Sequence, residues 1–307
     1  MLAFVFPGQG SQKVGMGREL CDQHPAARAV FQEADDALGF ALSRLCFEGP
    51  ESELTLTTHA QPAILTTSVA ALRVLTEETE LRADVAAGHS LGEYSALVAA
   101  GALSLAAAVR VVALRGRFMQ EAVPAGEGTM AAILGLSPEA ATELCAEAEE
   151  ATSGVVSPAN MNGGGQVVIA GSRPAVERAS AMARERGAKR VISLQVSAPF
   201  HCALMKPAAE RLAVELEKVD IGAMTLPVVT NVEAVPNQDA GRVRDLLVRQ
   251  VTAPVQWEAS VVKMVDMGVT RAIEVGHGNV LAGLCRRIAP DLAVQGASDL
   301  QSITSLL

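Results

Sequence analysis

The segment Gly88-His89-Ser90-Leu91-Gly92 sets a serine between two glycines, after the apolar run Val85 to Ala87 and before the helix-forming stretch Glu93 to Ala100. A strand that turns sharply into a helix through G-x-S-x-G exposes the serine hydroxyl, because the glycines tolerate a strained turn. Ser90 Oγ would then sit at a helix N-terminus, where the dipole and free N–H groups favour developing negative charge. The plainer reading of the same pentapeptide is a set of small residues capping a buried helix.

A serine nucleophile needs a base, and the chain has five histidines. His24 precedes a proline among polar residues and is expected at a surface helix end. His59 lies in "LTTHAQPA", expected to be a loop. His89 belongs to the turn itself, with its side chain expected to point away from Ser90. His201, in "VSAPFHCALMKPAAERL", and His277, in "IEVGHGNVLAGL", both follow strand patterns and precede helices. Spacing leaves these two level, and no acidic partner stands out for either.

The elements that must position these groups follow from apolar patterning. Short runs at Leu2 to Phe6, Val85 to Ala87, Val228 to Thr230 and Ala272 to Val275 alternate with longer helical patterns, which predicts α/β layering with a largely parallel sheet. Ligands of such sheets bind beyond the carboxyl ends of the strands. Between them, residues 125–197 read strand, helix, strand, strand, helix, strand, the order of a ferredoxin-like unit. The expected fold is therefore an α/β-hydrolase-like core, residues 1–124 and 198–307, with an inserted small ferredoxin-like (βαββαβ) subdomain at 125–197. Tyr94 to Val109, the longest uncharged stretch, is too short to span a membrane; Gly101 and the cap Ser104 divide it into two buried helices.

Composition narrows the partners. Among 307 residues 50% are hydrophobic but only 3% aromatic, so stacking side chains for single-stranded nucleic acid or sugars are scarce. A net charge of -9 also speaks against a nucleic-acid partner. The cysteines at 21, 46, 145, 202 and 285 are odd in number and unpaired in spacing, which suits free thiols in a reducing compartment and suggests no metal site. "MLAFVFPGQG" has no basic leader and reads as a first strand, so a cytoplasmic protein is expected.

"FPGQGSQ", "THAQPAIL", "GHSLGEYSAL", "RGRFMQ", "SPAN", "PFHCALMKPA" and "RQVTAPVQW" follow one another from about Phe6 to about Arg287. In order and spacing this series resembles the malonyl-CoA:acyl carrier protein transacylases of bacterial fatty acid synthesis, and it is also similar to acyltransferase domains of polyketide synthases. The resemblance implies a ping-pong transfer of malonyl from coenzyme A to the phosphopantetheine thiol of acyl carrier protein, through malonyl-Ser90. It makes His201 the base, oriented by the main-chain carbonyl of Gln250 in place of a carboxylate. It puts the oxyanion hole at the backbone N–H groups of Gln9 and Leu91. It pairs Arg115 with the malonyl carboxylate, a bond suited to a planar guanidinium. Phe200 would crowd a methyl branch, and Gln61 and Asn160 would line the pocket. Arg117 and Cys202 are expected to be a solvated arginine and a buried helix residue.

The same resemblance implies malonyl-CoA and phosphopantetheinylated carrier protein as substrates, no bound cofactor, no metal, no membrane, a transient acidic carrier partner and a monomeric enzyme. Lys189 with Arg190, or Arg286 with Arg287, are candidate docking pairs on an otherwise acidic chain. One departure stands out: where the family commonly has Gly-Pro-Gly-Lys, this chain has Gly276-His277-Gly278-Asn279. His277 is thereby kept as a second base, and a serine hydrolase or thioesterase using Ser90 and His277 is the competing enzyme class. A discrete acyltransferase of a polyketide pathway and a non-catalytic carrier-binding subunit also fit the motifs at this level.

Overall fold

Strands that are buried on both faces carry near-continuous small and branched apolar residues, and Leu2–Phe6 and Val85–Gly88 have that character. The computed structural model describes residues 1–307. In chain order the strands are β1 (Leu2–Phe6), β2 (Val85–Gly88), β3 (Gly128–Leu134), β4 (Val156–Gly163), β5 (Gln166–Ser172), β6 (Arg190–Leu194), β7 (Val228–Val229), β8 (Pro236–Asn237), β9 (Arg271–Val275) and β10 (Ala293–Ala297).

The larger sheet has the order β10-β9-β1-β2-β7-β8. All of its pairs are parallel except β7 with β8. Alternation along β1 divides the core: Phe4 and Phe6 face a main cluster of 62 buried residues, whereas Ala3 and Val5 face one built around Trp257 and Val261. Helix Thr57–Glu78 crosses the main cluster and is buried nearly all round.

β3 to β6 form a separate antiparallel sheet in the order β4-β5-β3-β6. Helices Pro138–Thr152 and Arg173–Glu185 cover one face, against Ala131 and Ile133 of β3. Met130 and Ala132, one residue out of phase, turn the other face toward the main core. That face forms one wall of the site described below.

Several local expectations needed correction. β7 stops at Val229, before Thr230, and two edge strands, β8 and β10, went unread. Their residues, Pro-Asn and Ala-Val-Gln-Gly-Ala, carry little strand propensity; pairing with an existing neighbour supplies what the local sequence lacks. His277 therefore follows β9, which is not the last strand. His59 is in the first turn of helix Thr57–Glu78, not in a loop, and Pro62, the sixth residue of that helix, is accommodated inside it. His24 is buried: its Nδ1 caps helix Pro25–Leu38 by accepting from Ala26 N at 3.2 Å, while Nε2 meets Glu78 at 3.0 Å. Ser104 caps helix Leu105–Glu121 as expected, accepting from Ala107 N at 3.2 Å.

Candidate active site

β2 ends in a turn so tight that side chains are excluded on both sides of it. A Cβ on Gly88 would lie 1.9 Å from the Gly92 carbonyl carbon, and one on Gly92 would lie 2.0 Å from Phe6 O. Ser90 between them has φ 51°, a left-handed conformation that a serine holds only when its surroundings impose it. Asn231, in the loop after β7, supplies the restraint: its Oδ1 accepts from Ser90 N at 2.7 Å and its Nδ2 donates to Gly88 O at 2.6 Å. Helix Gly92–Ala99 then begins directly beyond the serine.

His201 reaches Ser90 from the crossover that follows β6, with its own φ at 58°. Its Nε2 is 2.7 Å from Ser90 Oγ and its Nδ1 is 2.8 Å from Gln250 O. A carbonyl can only accept, so Nδ1 carries the proton and Nε2 is the lone-pair nitrogen facing the hydroxyl. Gln250 stands in the last turn of helix Val243–Thr252, where carbonyls have no intrahelical partner and are free to accept. Burial, and then the charge of Arg115, hold the imidazole down to about 3, well below the ordinary histidine value of 6.5. It is thus neutral, the form a base must have.

Arg115 projects from helix Leu105–Glu121 and is 2% exposed, not solvated as its place in the sequence alone suggests. Nη1 donates to Gln61 Oε1 at 2.7 Å, and Nη2 donates to Gln250 Oε1 at 2.8 Å and to Ser90 Oγ at 3.2 Å. Its Nε is buried without an acceptor. Arg117, two residues on and on the opposite side of the helix, is exposed.

Two buried groups in this network escaped the sequence reading. Glu93 Oε2 accepts from Gln250 Nε2 at 2.6 Å and from Asn231 N at 3.2 Å, and burial raises its carboxyl to about 7. Gln250 Nε2 also donates to Ser90 O at 3.0 Å. An acid in the first turn of a helix ordinarily reads as a solvated dipole partner, and only its burial singles Glu93 out. Asn231 had a faint signal, since it follows a strand end where loops of this sheet type carry chemistry.

The loop after β1 brings Gln9 to the same place, its Nε2 donating to Thr57 Oγ1 at 3.1 Å. The backbone N–H groups of Gln9 and Leu91 have no acceptor within the chain. A cleft of about 390 Å³ is lined by Gln9, Gln61, Ser90, Arg115, Asn160, Phe200 and His201, among others. Leu91 and Gln250 lie behind that lining. An adjoining cavity of about 520 Å³ shares Gln9, His89 and Asn160 and extends to Asn279 and the exposed Arg287.

None of the remaining candidates meets Ser90 Oγ. His277 does not line the cleft; burial, then Lys13, lower its basicity, and Asp299 raises it. His89 turns its Nε2 to Asn162 Oδ1 at 2.8 Å and tilts against Trp257. Cys202 is buried, with Sγ donating to Pro199 O, but it precedes the short turn Ala203–Met205 and is not itself helical. No group of three or more His, Cys, Asp or Glu side chains is arranged to hold a metal. A groove of about 590 Å³ beside Arg110 and Lys218 is lined by none of the candidate site residues.

The family model described as acyl transferase domain matches residues 3–303. A malonyl CoA-acyl carrier protein transacylase of Salmonella typhimurium is 50% identical over 305 residues, 99% of this chain and 98% of that protein. The corresponding Bacillus subtilis (strain 168) protein is 50% identical over 302 residues, 98% of this chain and 95% of its own length. Among solved structures, the malonyl CoA-acyl carrier protein transacylase of Coxiella burnetii superposes with a TM-score of 0.97 at 43% identity, covering 99% of this chain and 96% of that one. A malonyl-transacylase in complex with its type II PKS acyl-carrier protein gives 0.97 at 47% identity, covering 100% and 98%.

Proposed function

The chain belongs to the acyl transferase domain family, and from that premise we propose that it moves the malonyl group from malonyl-CoA to the phosphopantetheine thiol of acyl carrier protein, for fatty acid synthesis. The observation that carries the substrate choice is the shared hydroxyl: Ser90 Oγ contacts both the His201 imidazole, at 2.7 Å, and the Arg115 guanidinium, at 3.2 Å. In a malonyl thioester one methylene separates the reacting carbonyl from the free carboxylate. An acyl group attacked by Ser90 and anchored by Arg115 must be about that short.

In the first half-reaction His201 Nε2 takes the Ser90 proton as Oγ attacks the thioester carbon. The negative charge on the carbonyl oxygen is met by the free N–H groups of Gln9 and Leu91, each donor lowering the barrier by about 3 kcal/mol. The intermediate collapses to malonyl-Ser90 and coenzyme A leaves with the proton. The carrier thiol then enters, gives its proton to the same imidazole and reverses the sequence. Arg115 holds the malonyl carboxylate throughout; an acetyl group leaves that guanidinium without its acceptor in a dry site.

A hydrolase built on His277 is not favoured, since His201 is the histidine that meets the nucleophile. For the carrier we favour docking at Arg286 and Arg287, because Arg287 lines the cavity that adjoins the cleft. No bound cofactor enters the scheme, and we place the enzyme in a reducing cytoplasm as a monomer; its thiols are free and buried.

Intact-mass measurement after mixing with malonyl-CoA tests this reading. One malonyl adduct is expected on the native chain, none on Ser90→Ala, and discharge of the adduct by phosphopantetheinylated carrier protein. An adduct surviving in Ser90→Ala, or a preference for acetyl-CoA, would overturn it.

A further inference from the structure

Arg115 is fully charged and almost wholly buried, yet its hydrogen-bond acceptors, on Gln61, Gln250 and Ser90, are all neutral. A guanidinium in that position is costly unless an opposite charge lies close by. After Tyr94, whose ring centroid lies 5.6 Å from the guanidinium carbon, Glu93 is the group whose field acts on it, and it is the one carboxylate that does. Also 2% exposed, Glu93 is joined to Arg115 through one amide, with Gln250 accepting from the arginine at 2.8 Å and donating to the carboxylate at 2.6 Å. The pair is therefore bridged, not in direct contact, and Ser90 lies against its arginine end.

This leaves the front of Arg115 open to a second anion. When a malonyl carboxylate enters there, two negative groups face one guanidinium in a dry site, and the like-charge term favours neutralising one of them. We propose that Glu93 is the resident counter-charge of Arg115 in the empty site, and that it takes up a proton from solvent when the malonyl carboxylate arrives to replace it. The inference rests on Arg115 as the malonyl anchor. Burial already holds the Glu93 carboxyl at about 7, so the added repulsion has little further to move it near neutral pH. The groups facing Glu93 and its arginine are Gln250 from helix Val243–Thr252, Asn231 from the loop after β7, Tyr94 on its own helix, and His201 beside Ser90; the last is already neutral.

The test is a double-mutant cycle on Glu93→Gln and Arg115→Ala, read as unfolding midpoints with and without malonyl-CoA. Above about pH 7, where Glu93 is ionised, Glu93→Gln should stabilise the empty enzyme about 10-fold less than it stabilises the Arg115→Ala background, and malonylation should remove most of that difference. If Glu93→Gln does not fold alone, a folded double variant carries the same conclusion. Equal effects with and without Arg115, or a double variant that fails to fold, would sink the proposal. Proton uptake gives a second readout: at about pH 8 malonylation of the native chain should take up more protons than malonylation of Glu93→Gln, coenzyme A release being common to both. Equal uptake counts against it. If instead Arg115→Ala keeps its preference for malonyl over acetyl, it is the reading of Arg115 that fails, not this one alone.

Discussion

At the scale of single residues the site depends on two side chains held in left-handed backbone conformations and on the groups that hold them there. Ser90 keeps its φ of 51° because Asn231 fastens the peptide on either side of the turn. Asn231→Ala removes both bonds; kcat should fall about 10- to 100-fold with little change in KM, since orientation and not binding is lost. Steady-state kinetics on a variant shown to be folded checks this. Arg115→Ala should raise KM for malonyl-CoA and cut the malonyl-to-acetyl preference by about 100-fold or more, measured by competition and intact mass. Ser90 was legible from its glycine-flanked turn, whereas His201 and Arg115 were singled out only by the resemblance, spacing alone having left His201 level with His277. Glu93 and Asn231 were not, because burial and cross-chain partners, not local pattern, define their roles.

At the scale of elements, patterning read the alternation of strand and helix and the split βαβ order because period-2 and period-3.6 repeats differ strongly there. It missed β8 and β10, whose pairing is imposed from the neighbouring strand, and it mistook the start of helix Thr57–Glu78 for a loop, since Thr-Thr-His and an early Pro mimic one. The elbow between β2 and helix Gly92–Ala99 is an element-level contact: Gly92→Ala would set a methyl 2.0 Å from Phe6 O. It should lower stability by about 3 kcal/mol or more, beyond ordinary overpacking because backbone is the obstacle, as read by chemical denaturation. His24→Ala, by contrast, removes one helix cap together with the contact to Glu78 and should cost about 1 to 2 kcal/mol in the same assay.

At the scale of the whole molecule, buried titratable groups set how stability varies with pH. His201 is held near 3 in the folded chain against 6.5 ordinarily, so the unfolded chain binds more protons between those values and stability falls as pH falls through that window. Glu93 has the opposite sign: raised to about 7 from 4.5, it keeps its proton in the folded chain up to about pH 7, and the stability this contributes is lost as pH rises through that value and the carboxyl ionises beside Arg115. His201→Gln should therefore flatten the acid side of the stability curve, measured by thermal unfolding across pH. The thiols follow the same logic. Burial pushes the Cys145 and Cys285 thiols up to about 12, so a thiol reagent should label the native chain slowly and all five cysteines on unfolding. The carbonyl behind His201 has one last consequence. A main-chain dipole steadies the imidazolium less than a full carboxylate does, so the base is a weak one, made weaker by the arginine in front of it. A thiol, with a pKa of about 8.5, gives up its proton to such a base far more readily than water does. The acyl-enzyme is thereby biased in its kinetic partition: it waits for sulfur and is slow to be lost to hydrolysis.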